Sequence, residues 1–99
     1  MIDLTAETFS PHLETEFVVD DPALGEPVVL RLTEIRGLGR QPGAPRVEPF
    51  ALLLTGPPQP RLQQRTYRLE HRVLGPLEIF LVLVGNDAVG SPTYEAVFN

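Results

Sequence analysis

The stretch QQRTYRLEHRVLGPLEIFLVLVG, residues 63–85, decides how the rest of the chain is read. Its first half alternates polar and apolar side chains, as a strand with one wet face does. Its second half, after Gly75-Pro76, is apolar on both faces. With Gly75 and Pro76 as the turn of a hairpin, the simplest register sets Tyr67, Leu69 and His71 opposite Val84, Val82 and Phe80. That face is the expected core, with Val73 and Glu78 completing it. The other face then places Arg68, Glu70 and Arg72 beside Ile79, Leu81 and Leu83. A bulge would shift the pairing by one residue and exchange the two faces. In either register the strand at 77–84 keeps a second apolar face. Leaving each large side chain in water forfeits roughly 1.5–3 kcal/mol, a large share of a total stability on the order of 5–15 kcal/mol. The sequence therefore predicts a cover for that face, supplied by an amino-terminal helix or by another chain.

The helix is expected in LTAETFSPHL, residues 4–13. Thr5 suits the N-cap, Glu7 lies in the first turn where the helix dipole favours an anion, and Pro11 limits extension. Leu4, Phe9 and Leu13 give it an apolar side. So short a helix must pack on something to persist. From Glu14 the signals turn strand-like. TEFVV puts Thr15, Phe17 and Val19 on one face, and PVVLRLTEIR alternates Val28, Leu30 and Leu32 against Val29 and Arg31. VEPFALLLT carries Phe50, Leu52 and Leu54 in period two, with Pro49 marking an edge or an irregular start. TYEAVF aligns Tyr94, Ala96 and Phe98. RGLGRQPGAPR (36–46) reads as a long loop or arm, and GPPQP (56–60) as a stiff hairpin connector. These signals predict one mainly β domain over residues 1–99. It is a small six-stranded antiparallel barrel or sandwich at 14–99, with a short helix and lead-in at 1–13.

Composition narrows the partners. A chain of 99 residues makes one domain with one modest core. A net charge of −5 argues against nucleic acid, which is held by concentrated positive charge. With no cysteine, disulfides and thiolate metal sites are excluded. MIDLTAETF has no basic stretch followed by an apolar one, so no signal peptide is read and a cytoplasmic start is expected. The longest apolar run, IFLVLV, is far short of a membrane span. Charge is uneven. Seven acids (Asp3, Glu7, Glu14, Glu16, Asp20, Asp21 and Glu26) precede residue 31 without a single arginine, while Arg61, Arg65, Arg68 and Arg72 cluster at 61–72. The two regions either neutralise each other within one domain or steer a partner.

FALLLTGP, QQRTYRLEH, LGPLEIFLV and YEAVFN, together with LTAETFSPHLETEF at the start, resemble a family of short bacterial proteins known only as a domain of unknown function. The resemblance spans most of the chain outside 36–46 and 85–92. It implies an accessory role beside phage-tail-collar or fibre-like proteins, and with it a final place in an extracellular or tail-like assembly. It carries no catalytic residues. Arg65 stands where the family pattern has Gly, and Leu83 where it has Pro, which lengthens the strand at 77–84.

No constellation points to catalysis. Glu70 and His71 are strand neighbours and face opposite ways, so they cannot act as a base and its orienter. His71 reads as a core histidine bonded to backbone, and His12 as a residue capping carbonyls at a helix end. Two histidines without matched spacing make no zinc site. GLGRQPG lacks a dinucleotide-binding context, and neither Ser10 nor Ser91 sits in a nucleophile elbow. Asp20, Asp21 and Glu26 read as a solvated acidic turn. The expected function is thus a non-enzymatic structural or protein-interaction module without metal or cofactor. Arg68, Arg72, Ile79, Leu81 and Leu83 form its candidate interface with a protein partner or a second copy. The alternative is a small barrel carrying or sensing an apolar ligand, which large interior side chains disfavour.

Overall fold

The computed structural model describes residues 4–39 and 49–98. Six antiparallel strands close a barrel: β1 (Glu16–Val19), β2 (Val28–Gly37), β3 (Phe50–Thr55), β4 (Arg65–His71), β5 (Gly75–Asn86) and β6 (Pro92–Phe98). Around the barrel the order is β1-β2-β3-β6-β5-β4, and β4 returns to β1 through Val18 opposite Glu70 and Val19 opposite Leu69. Of the two architectures predicted, the barrel is the one observed. The residues at 40–46 of the expected loop, and the start of the third strand at Val47, lie outside the described residues.

Closure needs bent strands, and two register breaks provide the bends. One lies in β2 between Leu32 and Glu34, the other in β5 between Leu83 and Gly85. β5 is long enough to serve two neighbours. Its first part, Gly75 to Leu81, pairs with β4, and Val82 to Asn86 pairs with β6. The inward alternation follows the sequence closely: Phe17 and Val19, Val28, Leu30 and Leu32, Phe50, Leu52 and Leu54, Tyr67 and Leu69, Tyr94 and Ala96 are all buried. β3 is buried on both faces. On its outer face Ala51 lies between Arg36 and Val97, and Leu53 between Glu34 and Glu95.

Two segments plug the barrel ends. At the first, α1 (Ala6–Phe9) runs into a 3-10 turn, Ser10–His12. The helix opens on a reciprocal cap in which Thr8 N–H donates to Thr5 Oγ1 at 3.3 Å and Thr5 N–H to Thr8 Oγ1 at 3.1 Å. Phe9, with no exposed surface, drops into the mouth against Phe17, Phe50 and Phe98, ring centroids 5.7–6.3 Å away. Leu4 packs beside it as a partly buried neighbour of the core, whereas Leu13 turns out to solvent. Glu14 leaves the turn at φ +67°, and its N–H reaches Leu32 O at 2.7 Å, which starts the β1–β2 ladder.

At the other end the connector after β3 is no hairpin, because β3 and β4 are not neighbours. It crosses the mouth and carries Leu62 into the core. Gly56 begins the crossing so close to the wall that a Cβ there would lie 2.7 Å from Leu30 Cδ2 and 3.3 Å from the Tyr94 ring. Leu62 N–H donates to Tyr94 Oη at 2.8 Å, and Tyr67 Oη donates to Gln63 O at 2.9 Å, fixing the plug from below. Tyr94→Phe leaves the buried Leu62 N–H without an acceptor. An orphaned donor of this kind costs about 1–3 kcal/mol, so the urea midpoint should fall with the slope of the transition unchanged.

Candidate functional site

The β4–β5 hairpin turns earlier than Gly75-Pro76. His71 pairs with Gly75, so Arg72, Val73 and Leu74 form the loop, and Tyr67 faces Ile79 while Leu69 faces Leu77. Gly75 adopts φ +78°, the left-handed conformation that closes a three-residue hairpin loop. Relative to the simplest register the partner of each β4 residue shifts by five positions. An odd shift reverses the faces. Ile79 and Leu81 therefore point inward, 2% and 0% exposed, and cannot lie on a surface with Arg68 and Arg72. The expected interface is corrected accordingly: Arg68 and Arg72 are on the outside, Leu83 is partly exposed, and Ile79 and Leu81 belong to the core. Val73, expected inside, is in the loop and exposed.

The second apolar face of β5 consists of Phe80, Val82 and Val84. Phe80 is 49% exposed and Val84 51% exposed. Val82 is half-buried opposite Glu95 of β6, and two positions along β6 the outer residue is Val97, 48% exposed. Thr66 lies opposite Phe80 on β4, and Arg68 lies opposite Glu78. This face was missed in the sequence because its parity depends on the loop length, although the residues that form it were all within the quoted stretch and the final strand. The helix does not cover it, since Phe9 is committed to the barrel mouth.

The arginine cluster is largely occupied within the chain. Arg65 Nη2 lies 3.5 Å from Asp21 Oδ2 and stacks over Tyr67, Arg68 Nε lies 3.1 Å from Glu70, and Arg61 donates to Asn86 Oδ1 at 3.1 Å. Arg31 and Arg36 pair with Glu14 and Glu34. Among the described residues only the Arg65–Asp21 pair joins the cluster to the acid-rich first third, and Asp21 also caps the 3-10 turn Pro22–Leu24 through Ala23 N–H at 3.0 Å. Among the described residues no three His, Cys, Asp or Glu side chains come together as metal ligands, and no helix is long and apolar enough to cross a membrane.

Among the described residues His71 is the one buried histidine, 5% exposed and bonded at both ring nitrogens. Its Nδ1 accepts from Val73 N–H and Leu74 N–H, both at 3.1 Å, which caps the hairpin loop. With Nδ1 an acceptor, the proton is on Nε2, which donates to Thr15 Oγ1 at 3.0 Å. Thr15 Oγ1 in turn donates to His12 O at 2.6 Å. Burial, then the nearby His12 and Arg72, hold the imidazole below its ordinary range.

A profile of the family named domain of unknown function (DUF6916) matches residues 4–98, from the lead-in of the helix plug to the end of β6. The chain belongs to that family. No curated protein and no solved structure matches it. The DUF6916 match includes both plugs as well as the six strands, so the plugged barrel is the unit to which a function must be assigned.

Proposed function

We propose that this DUF6916 domain is a non-enzymatic protein-interaction module whose contact face is the outside of β5 and β6. The observation that carries the reading is the exposure of Phe80, Val84 and Val97 on two adjoining strands, while the helix is engaged elsewhere. Arg68, diagonal to Phe80 across β4 and β5, flanks that face and supplies directed contacts to carboxylates, while the apolar side chains supply burial. An accessory place in a tail-like or fibre-like assembly is the setting favoured by the sequence resemblance described above. A carrier of apolar ligands has less support, because Phe9 and Leu62 enter the interior from its two ends among closely packed Phe, Tyr and Leu side chains.

Sedimentation tests the simplest form of this reading, association of one copy with another. The wild-type chain is expected to form a reversible oligomer, whereas Phe80→Asp combined with Val97→Asp gives a monomer with an unchanged melting profile. A wild type that stays monomeric at every concentration and salt, and is no less soluble than the double variant, would count against the face.

A further inference from the structure

We propose that His71 is an acid-sensitive latch that holds the amino-terminal plug, residues 4–15, in the barrel mouth. The inference is independent of the β5–β6 face, and it rests on where the imidazole stands in the fold. One ring joins two segments that are distant in sequence: the hairpin loop 72–74 through Nδ1, and the amino-terminal segment through Thr15, just ahead of β1, whose hydroxyl bonds His12 O in the 3-10 turn. The His12 ring meets the His71 ring edge-on at 4.6 Å, and Phe17 lies against it at 4.4 Å. Phe17 is also one of the rings that seat Phe9. The plug and the latch therefore share a wall.

Protonation would undo this arrangement at a defined atom. A proton added at Nδ1 turns an acceptor of two N–H bonds into a third donor pointing at them, so both loop caps are lost. The new charge also meets like charge from the elements around it, His12 on the 3-10 turn and Arg72 in the loop. The uncharged Thr15 and Phe17 of the β1 side offer no compensation. Nor do the nearest carboxylates in sequence: Glu14 pairs with Arg31, Glu70 faces outward to Arg68, and Glu78 faces outward opposite Arg68. None of them bonds to the ring. The neutral ring is thus built into the closed state, and the released state accepts the proton.

The sign of the linkage follows. The closed state binds the proton more weakly than the open one, so the latch is at full strength above the ordinary imidazole value of 6.5. It weakens as pH falls below that value, until the closed form itself is protonated. At about pH 5 the population with the plug released rises by up to roughly thirtyfold. Hydrogen exchange read by mass spectrometry, corrected for the intrinsic pH dependence of exchange, tests this on the intact chain. Between about pH 7.5 and pH 5 the peptide covering 4–15 should lose protection while β3 and β6 keep theirs. In His71→Gln the dependence should flatten. In the wild type, the His71 ring proton resonance should titrate over the same interval as the loss of protection. Simultaneous loss in β3 and β6, an equal response in His71→Gln, or unchanged protection of 4–15 at pH 5 would each overturn the latch.

Discussion

Leu81→Asp is expected to abolish folding, and Phe80→Asp, one residue away, to leave the fold intact. Leu81 has no exposed surface and faces the barrel interior, with Arg65 opposite it on β4. Deleting a buried leucine side chain costs about 2–5 kcal/mol by itself. The cation opposite it, Arg65, is half exposed and already paired with Asp21, so a carboxylate buried at this position is poorly compensated, which adds several kcal/mol. The sum reaches the whole stability of a domain of this size, on the order of 5–15 kcal/mol. Phe80 is on the other side of the same strand, half in water, opposite Thr66. A surface substitution of this kind stays within about 0.5 kcal/mol. Far-ultraviolet circular dichroism of the two purified variants separates them at once. A folded Leu81→Asp beside an unfolded Phe80→Asp would mean that β5 pairs in the opposite parity.

That contrast also shows where sequence reasoning stopped. β1, β6 and the first half of β2 alternate cleanly, so the inward positions of Phe17, Leu30 and Tyr94 follow from period two alone. The helix could be read from Thr5 and Glu7 because capping chemistry is local. The parity of β5 could not. It depends on whether the hairpin loop is Arg72–Leu74 or is built on Gly75-Pro76, and both choices are chemically reasonable. Gly75 is used for its positive φ at the loop's end, not as the corner itself. Closure of the barrel was equally hidden, since β4 meets β1 through the short run Val18–Glu70, Val19–Leu69 and the Asp20 N–H bond to Arg68 O, a contact distant in sequence with no local signature. The same applies to GPPQP, which reads as a hairpin connector and in fact crosses the mouth between strands that do not touch. The candidate site inherited the parity error: Ile79 and Leu81, expected beside the arginines, face the core.

Phe9→Ala is expected to be the most costly truncation outside the strands. The side chain is wholly buried and touches three other aromatic rings, from β1, β3 and β6. Phe50 and Phe98 stack nearly parallel at 4.7 Å and form the floor on which Phe9 sits. Removing a buried phenylalanine costs about 3–5 kcal/mol. For a domain of about 100 residues this corresponds to a fall in melting temperature of more than about 12 °C. The reason is positional as well as energetic. α1 has only four residues and cannot persist without tertiary anchoring, so losing Phe9 frees the whole lead-in and leaves the mouth open. Two readouts therefore have to move together: the melting temperature falls, and an apolar dye binds at the uncovered Phe17, Phe50 and Phe98 at neutral pH. A variant that melts lower without binding dye would mean that the mouth collapses over the vacancy instead of opening, and that the plug is packing rather than a lid.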